Sequence, residues 1–231
     1  MEKRMEKRLD WRVVKTKAVS LWAKFVENFI KFPIYLLSHP IKGFNQLKDG
    51  ERGSLRVALT ILFLTGFAQA MFRLHGSFIL TDFDPETFNS IWSILFLVVP
   101  VLFFVIANWS VTTLMNGKGK LKEILMVLAY AQFPILIATV FNTFFSHAIT
   151  IEEIGFANII SLSGTVLMVY LALMGLLVVH EFGLGTLMLS IIFTVVALIV
   201  ILFFCLAIFS LSQQVYGFVF TIIREIMIRM A

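Results

Sequence analysis

Apolar residues gather into five long uninterrupted runs, at about 55–74, 91–112, 124–146, 158–180 and 186–211, separated by short polar connections. Each run has the ~20 residues that a helix rising ~1.5 Å per residue needs to cross a hydrocarbon core. None shows the alternation of a membrane barrel strand, and only a helix satisfies its own backbone within lipid, so the pattern predicts five transmembrane helices. From Val57 to Ile223 no Lys, Asp or Glu falls midway through a run. An ionisable side chain at the bilayer centre costs roughly 2.5–3.5 kcal/mol on insertion scales and is kept where pumps and carriers use it. Its absence here argues against ion-coupled transport and intramembrane catalysis.

The flanks are amphipathic. Trp11, Val14, Ala18, Trp22, Phe25, Phe29 and Phe32 recur at helical spacing among Lys15, Lys17, Lys24, Glu27 and Lys31, until Pro33 and Pro40 interrupt them. Such a basic, aromatic arm is expected to lie in the inner membrane interface, with packing on the protein's own core as the other arrangement. At the other end Gln213, Gly217, Thr221, Arg224 and Glu225 oppose Phe218, Val219, Ile222, Ile223 and Ile226. That spacing predicts an amphipathic helix that lies on the outer face or continues the last span. The expected organisation is a cytoplasmic arm over 1–54, a membrane domain over 55–211 and a terminal helix over 212–231.

Orientation follows from the connections. Lys and Arg crowd the first 54 residues, and Lys118, Lys120 and Lys122 mark the second connection. The loops 75–90 and 147–157 have neither, only Asp82, Asp84, Glu86, Glu152 and Glu153. This alternation puts the N-terminus and the Lys loop inside. The long, charged opening lacks the short basic start and apolar core of a signal sequence, so the first span is expected to direct its own insertion.

Composition agrees: 59% of the 231 residues are hydrophobic and 14% charged, with 25 Phe and a formal charge of +5. Mean hydropathy is +0.93. The single cysteine, Cys205, sits in an apolar run and allows no internal disulfide. Nucleic acid is an improbable partner, since acidic residues share the basic arm and its apolar stripe would stay exposed.

Candidate chemistry is sparse. Asn116-Gly117-Lys118-Gly119-Lys120 lacks the spacing and preceding strand of a phosphate loop, so Gly117 and Gly119 read as a tight inner turn. His180-Glu181 points two adjacent side chains to different helix faces with no third ligand nearby, so no metal or cofactor is expected. His180 reads as a polar cap at the inner interface. Asn108, Gln132 and Asn142 lie within spans and read as hydrogen-bonding glue between helices, or with His180 as a polar path for a solute. Pro100 and Pro134 are expected to kink their helices.

Two stretches carry a resemblance. Ser38-His39-Pro40-Ile41-Lys42-Gly43-Phe44-Asn45-Gln46-Leu47-Lys48 with Glu51-Arg52-Gly53-Ser54 is one. The other is Asn108-Trp109, Asn116-Gly117-Lys118-Gly119, Lys122-Glu123 and Tyr130-Ala131-Gln132-Phe133-Pro134. Over about residues 38–223 the chain resembles the bacterial branch of the Yip (Ypt/Rab-interacting protein) domain family. The resemblance implies five spans, a cytoplasmic N-terminus and a non-enzymatic role. Eukaryotic relatives bind prenylated small GTPases and shape transport vesicles, and they carry a long acidic or Pro-rich cytosolic domain where this chain has a basic amphipathic arm. Bacterial members accompany carbohydrate ABC importers, which implies an accessory subunit of the bacterial cytoplasmic membrane that contacts lipid and another integral membrane protein. Within that picture Trp11, Trp22 and Phe25 are expected to dock the arm, and His39, Pro40, Gly43 and Phe44 to position it. A small uncoupled transporter or channel and a curvature-sensing scaffold are the alternatives.

Overall fold

The computed structural model describes residues 26–81 and 88–230, so Trp11, Trp22 and Phe25 lie outside the described residues. A π-helical turn, Glu27–Lys31, leads into α1 (Phe32–Ser38), and α2 (Pro40–Lys48) follows after a sharp corner at His39. The spans are α3 (Leu55–His75), α4 (Ser90–Leu114), the pair α5 (Leu121–Ala131) and α6 (Phe133–Phe145), α7 (Ile154–His180) and α8 (Leu184–Met230). Five helices are long and apolar enough to cross a membrane, with α5 and α6 as one crossing, and the fold is all-helical.

Helix starts follow the local sequence. Ser54 Oγ accepts from Val57 N–H at the head of α3, and Asn89 Oδ1 accepts from Trp92 N–H at the head of α4. Pro33 and Pro40 occupy first-turn positions, where a missing N–H costs nothing. The chain therefore breaks once in this region, at His39, rather than at both prolines.

The two prolines within spans leave different marks on the helix pattern. α4 runs unbroken through Pro100. The third span is interrupted at Gln132, one residue before Phe133-Pro134 start a new helix. Pro134 has no N–H to donate to the preceding turn, so α5 ends there and α6 restarts with its proline in the first turn.

The third span is the centre of the bundle, with 61% of its most apolar window buried against 6% for the fifth. α6 packs on α3 and α7, while α5 packs on α3, α4 and α7. α8 leans mainly on α4. Leu187, Ser190 and Thr194 are its buried residues, and from Ile208 to Arg229 every residue is exposed. It continues as one 47-residue helix, so the terminal segment extends the last span.

The described part of the arm does not lie free in the interface. Phe32, Leu36, Phe44 and Leu47 are buried in the bundle's own core, and α2 packs on α7. This is the arrangement in which the arm packs on the protein's own core, and it has a steric cause. A Cβ at Gly43 would stand 2.6 Å from Leu36 Cδ2, so glycine lets α1 and α2 close on each other. Phe44 and Leu47, one helical turn apart, then share the inward face.

Candidate functional site

The end of the bundle that carries Lys48 and Lys118 holds the densest polar cluster. α7 finishes there with Glu181 in the left-handed region (φ 56°, ψ 37°), and Phe182 N–H returns to Leu177 O at 3.2 Å. This closure usually takes glycine, and a side chain in its place marks a constrained position. The constraint is matched by charge. Glu181 Oε1 accepts from Lys48 Nζ at the end of α2, and Oε2 from Lys118 Nζ in the turn between α4 and α5, each at 2.6 Å. One carboxylate thus ties α2, the turn between α4 and α5, and the end of α7 together.

The hydrogen bonds from Lys118 and Lys48 hold the Glu181 carboxyl down from its ordinary 4.5 to about 2. A carboxyl with a lowered folded-state pKa stabilises the fold above its unfolded pKa and loses that contribution as pH falls through the folded value. The clamp's contribution is therefore full above the ordinary carboxyl range and fades progressively as pH falls from there toward about 2. Because Glu181 is exposed, added salt weakens it.

One residue earlier, His180 faces inward and is 1% exposed, which corrects the expectation of a polar cap at the interface. Its Nε2 donates to Asn108 Oδ1 at 3.0 Å, and Asn108 Nδ2 donates to Thr194 Oγ1 at 3.1 Å. Thr112 Oγ1 donates to Asn108 O at 2.7 Å, and Thr194 Oγ1 to Ser190 O at 2.7 Å. This chain stitches α7, α4 and α8, and Phe182 stacks on the imidazole with ring centres 5.2 Å apart. Such interhelical bonds contribute about 0.6 kcal/mol each in membrane bundles.

The turn glycines are explained by the same imidazole. A Cβ at Gly119 would lie 2.6 Å from His180 Cε1, and one at Gly117 would lie 2.9 Å from His180 Nδ1. Asn116 supplies the left-handed bend (φ 58°) that turns the backbone onto the ring. On the neighbouring flank Tyr130 Oη accepts from Ser54 N–H at 3.1 Å, and its ring meets Phe32 edge-on at 5.3 Å.

The other sequence candidates are dispersed. Gly43 and Phe44 are buried, and Pro40 begins α2. His39 sits at the exposed corner, stacked on Tyr35 at 5.1 Å. Asn142 donates from Nδ2 to Ala157 O at 3.0 Å and to Ser161 Oγ at 2.8 Å, tying α6 to α7 near the opposite end. Gln132 lies between, at the break in the third span. Asn108 and His180 come together, but no hydrogen bond among the described residues joins them to Gln132 or Asn142. The four side chains therefore do not form one polar file.

Among the described residues no three His, Cys, Asp or Glu side chains converge as metal ligands would. Sequence reasoning missed Glu181, Lys48, Lys118 and Thr194 as a set. One signal was available: Glu181 is an acid among lysines on the side where the Lys rule puts Lys48 and Lys118.

Comparison with curated proteins and with solved structures returned no match. The Yip1 domain matches residues 34–222, from within α1 to the last turns of α8. The matched span takes in the α2 docking helix, the glycine turn, the His180–Asn108 pair and all five crossings, and the chain belongs to the Yip1 domain family.

Proposed function

We propose that this protein is a non-catalytic membrane adaptor that assembles laterally with another integral membrane protein, with its N-terminus cytoplasmic in a bacterial cytoplasmic membrane. The observation that carries this reading is α8. Its 47 residues run about 70 Å, more than twice the ~30 Å hydrocarbon core. Beyond Ala207 it presents Ile208, Phe209, Leu211, Tyr216, Phe218 and Phe220, all exposed among the described residues. Apolar surface carried beyond the length that one crossing can cover with lipid supports a protein contact there. The permease of a carbohydrate ABC importer is the candidate partner, on the strength of the family context. A solute path has less support, because Asn108, His180 and Asn142 are used in joining helices.

The test is purification from the native membrane in mild detergent, for the full chain and for a chain ending at Ala207. The full chain is expected to elute with one permease in fixed stoichiometry, and the shortened chain alone with unchanged thermal unfolding. A full chain that elutes alone overturns the proposal. A full chain that elutes only with further copies of itself overturns the permease assignment.

A further inference from the structure

α7 and α8 are consecutive in sequence yet barely touch, because α8 leans on α4 instead. The gap is a cleft of about 360 Å³, open toward lipid and walled by Pro100 and Phe104 of α4, Leu128 of α5, Met168 and Ala172 of α7, and Ile191 of α8. That volume falls at the small end of the range for small-molecule sites. Gln132 is the one polar side chain among the lining residues.

Gln132 is 7% exposed, and its Oε1 is buried without a hydrogen-bond partner. Asn142 Oδ1 is likewise buried without a partner, but both intramembrane Asn side chains keep hydrogen bonds through their Nδ2. Asn108 reaches Thr194 and Asn142 reaches Ser161, whereas the Gln132 side chain makes no hydrogen bond among the described residues. Water does not reach the hydrocarbon region to satisfy it, so an unpaired amide there is costly unless something else does. Gln132 stands about 16 Å along the third span from Leu121, near the middle of the ~30 Å core.

We propose that this cleft binds an uncharged, lipid-soluble alcohol or phenol, whose hydroxyl meets the Gln132 amide while its hydrocarbon body lies against α4 and α7. The depth excludes a phospholipid headgroup, which stays at the interface. The lining holds no ionisable side chain to balance a charged ligand. A hydroxyl both donates and accepts, so it matches the amide whichever of its two atoms is turned toward the cleft. The opening toward lipid gives an entry route and leaves room for a tail longer than the cleft.

The test uses the full chain in lipid nanodiscs with two photoreactive probes: a long-chain primary alcohol carrying a diazirine, and the same chain ending in methyl. In the wild type the alcohol is expected to label α4 and α7 beside the cleft about five- to ten-fold more than the alkane, the worth of one hydrogen bond. Gln132→Leu is expected to bring that ratio to one without loss of the folded state by thermal unfolding. Ala172→Phe, which fills the cleft, is expected to suppress labelling by both probes. A wild-type ratio near one, a ratio unchanged in Gln132→Leu, or labelling confined to other surfaces overturns the proposal.

Discussion

Replacing Phe44 by alanine is expected to cost about 3–5 kcal/mol, the largest loss of any single substitution in the pre-membrane segment. The ring is fully buried, and its Cζ lies 3.0 Å from where a Cβ on Gly175 would stand. Phe44 is thus the plug by which α2 enters the bundle between α7 and α5. Without it, α2 loses its hold on α7, and the Lys48–Glu181 pair at its end loses the geometry that keeps it at 2.6 Å. Thermal unfolding in detergent should fall steeply, and limited proteolysis should begin to cut within residues 40–54. Phe44→Leu, which keeps most of the apolar volume, should lose much less. An alanine variant with unchanged unfolding and unchanged protease resistance would mean that α2 is not docked.

The complementary substitution acts from the other side of the same contact. Gly175→Leu is expected to prevent the bundle from closing, because even a Cβ there would collide with Val127 Cγ1 and crowd Phe44. Overpacking a filled core costs typically 1–3 kcal/mol, and here the added side chain has to separate α7 from both α5 and α2. The expected outcome is poor recovery of monodisperse protein. Gly175→Ala should retain a foldable chain with lower stability, and Val127→Ala in the same chain should restore part of it, because the clash lies with the end of a flexible side chain. A double-mutant cycle on thermal unfolding measures that coupling. Strict additivity of the two changes would place the helices further apart than they are here.

Much of the architecture was legible because lipid imposes a strong rule. Apolar run length marked the five crossings, although the fifth helix continues to Met230, well past the expected end at 211, and the glycine turn fell where the sequence put it. What was hidden depends on contacts between residues far apart in the chain. Glycines 117 and 119 read as generic turn residues, because the imidazole they make room for is contributed some 60 positions later. His180 looked like an interfacial cap since it ends a span, but its place on the inward face of α7 brings it to Asn108. The arm's periodicity marked an apolar face without telling lipid from protein as its cover. Gly43, expected to position the arm, lets α1 fold back so that protein covers Phe32, Leu36, Phe44 and Leu47. The break at Gln132 was half visible: Pro134 signalled a disturbance, but not that the helix would stop and restart there. Continuity of α8 past residue 211 could not be read from its composition, since an amphipathic stretch is helical whether it lies flat or projects.

The reading of α8 as a docking helix rests on its being covered by protein in the membrane, and photo-crosslinking in intact cells tests that most directly. A photoreactive amino acid at Phe218, exposed on the projecting part of α8, is compared with one at Phe156, exposed near the start of α7. Phe218 is expected to yield one protein adduct of defined mass, identified as a permease, while Phe156 yields lipid adducts. Lipid adducts alone at both positions would contradict the adaptor.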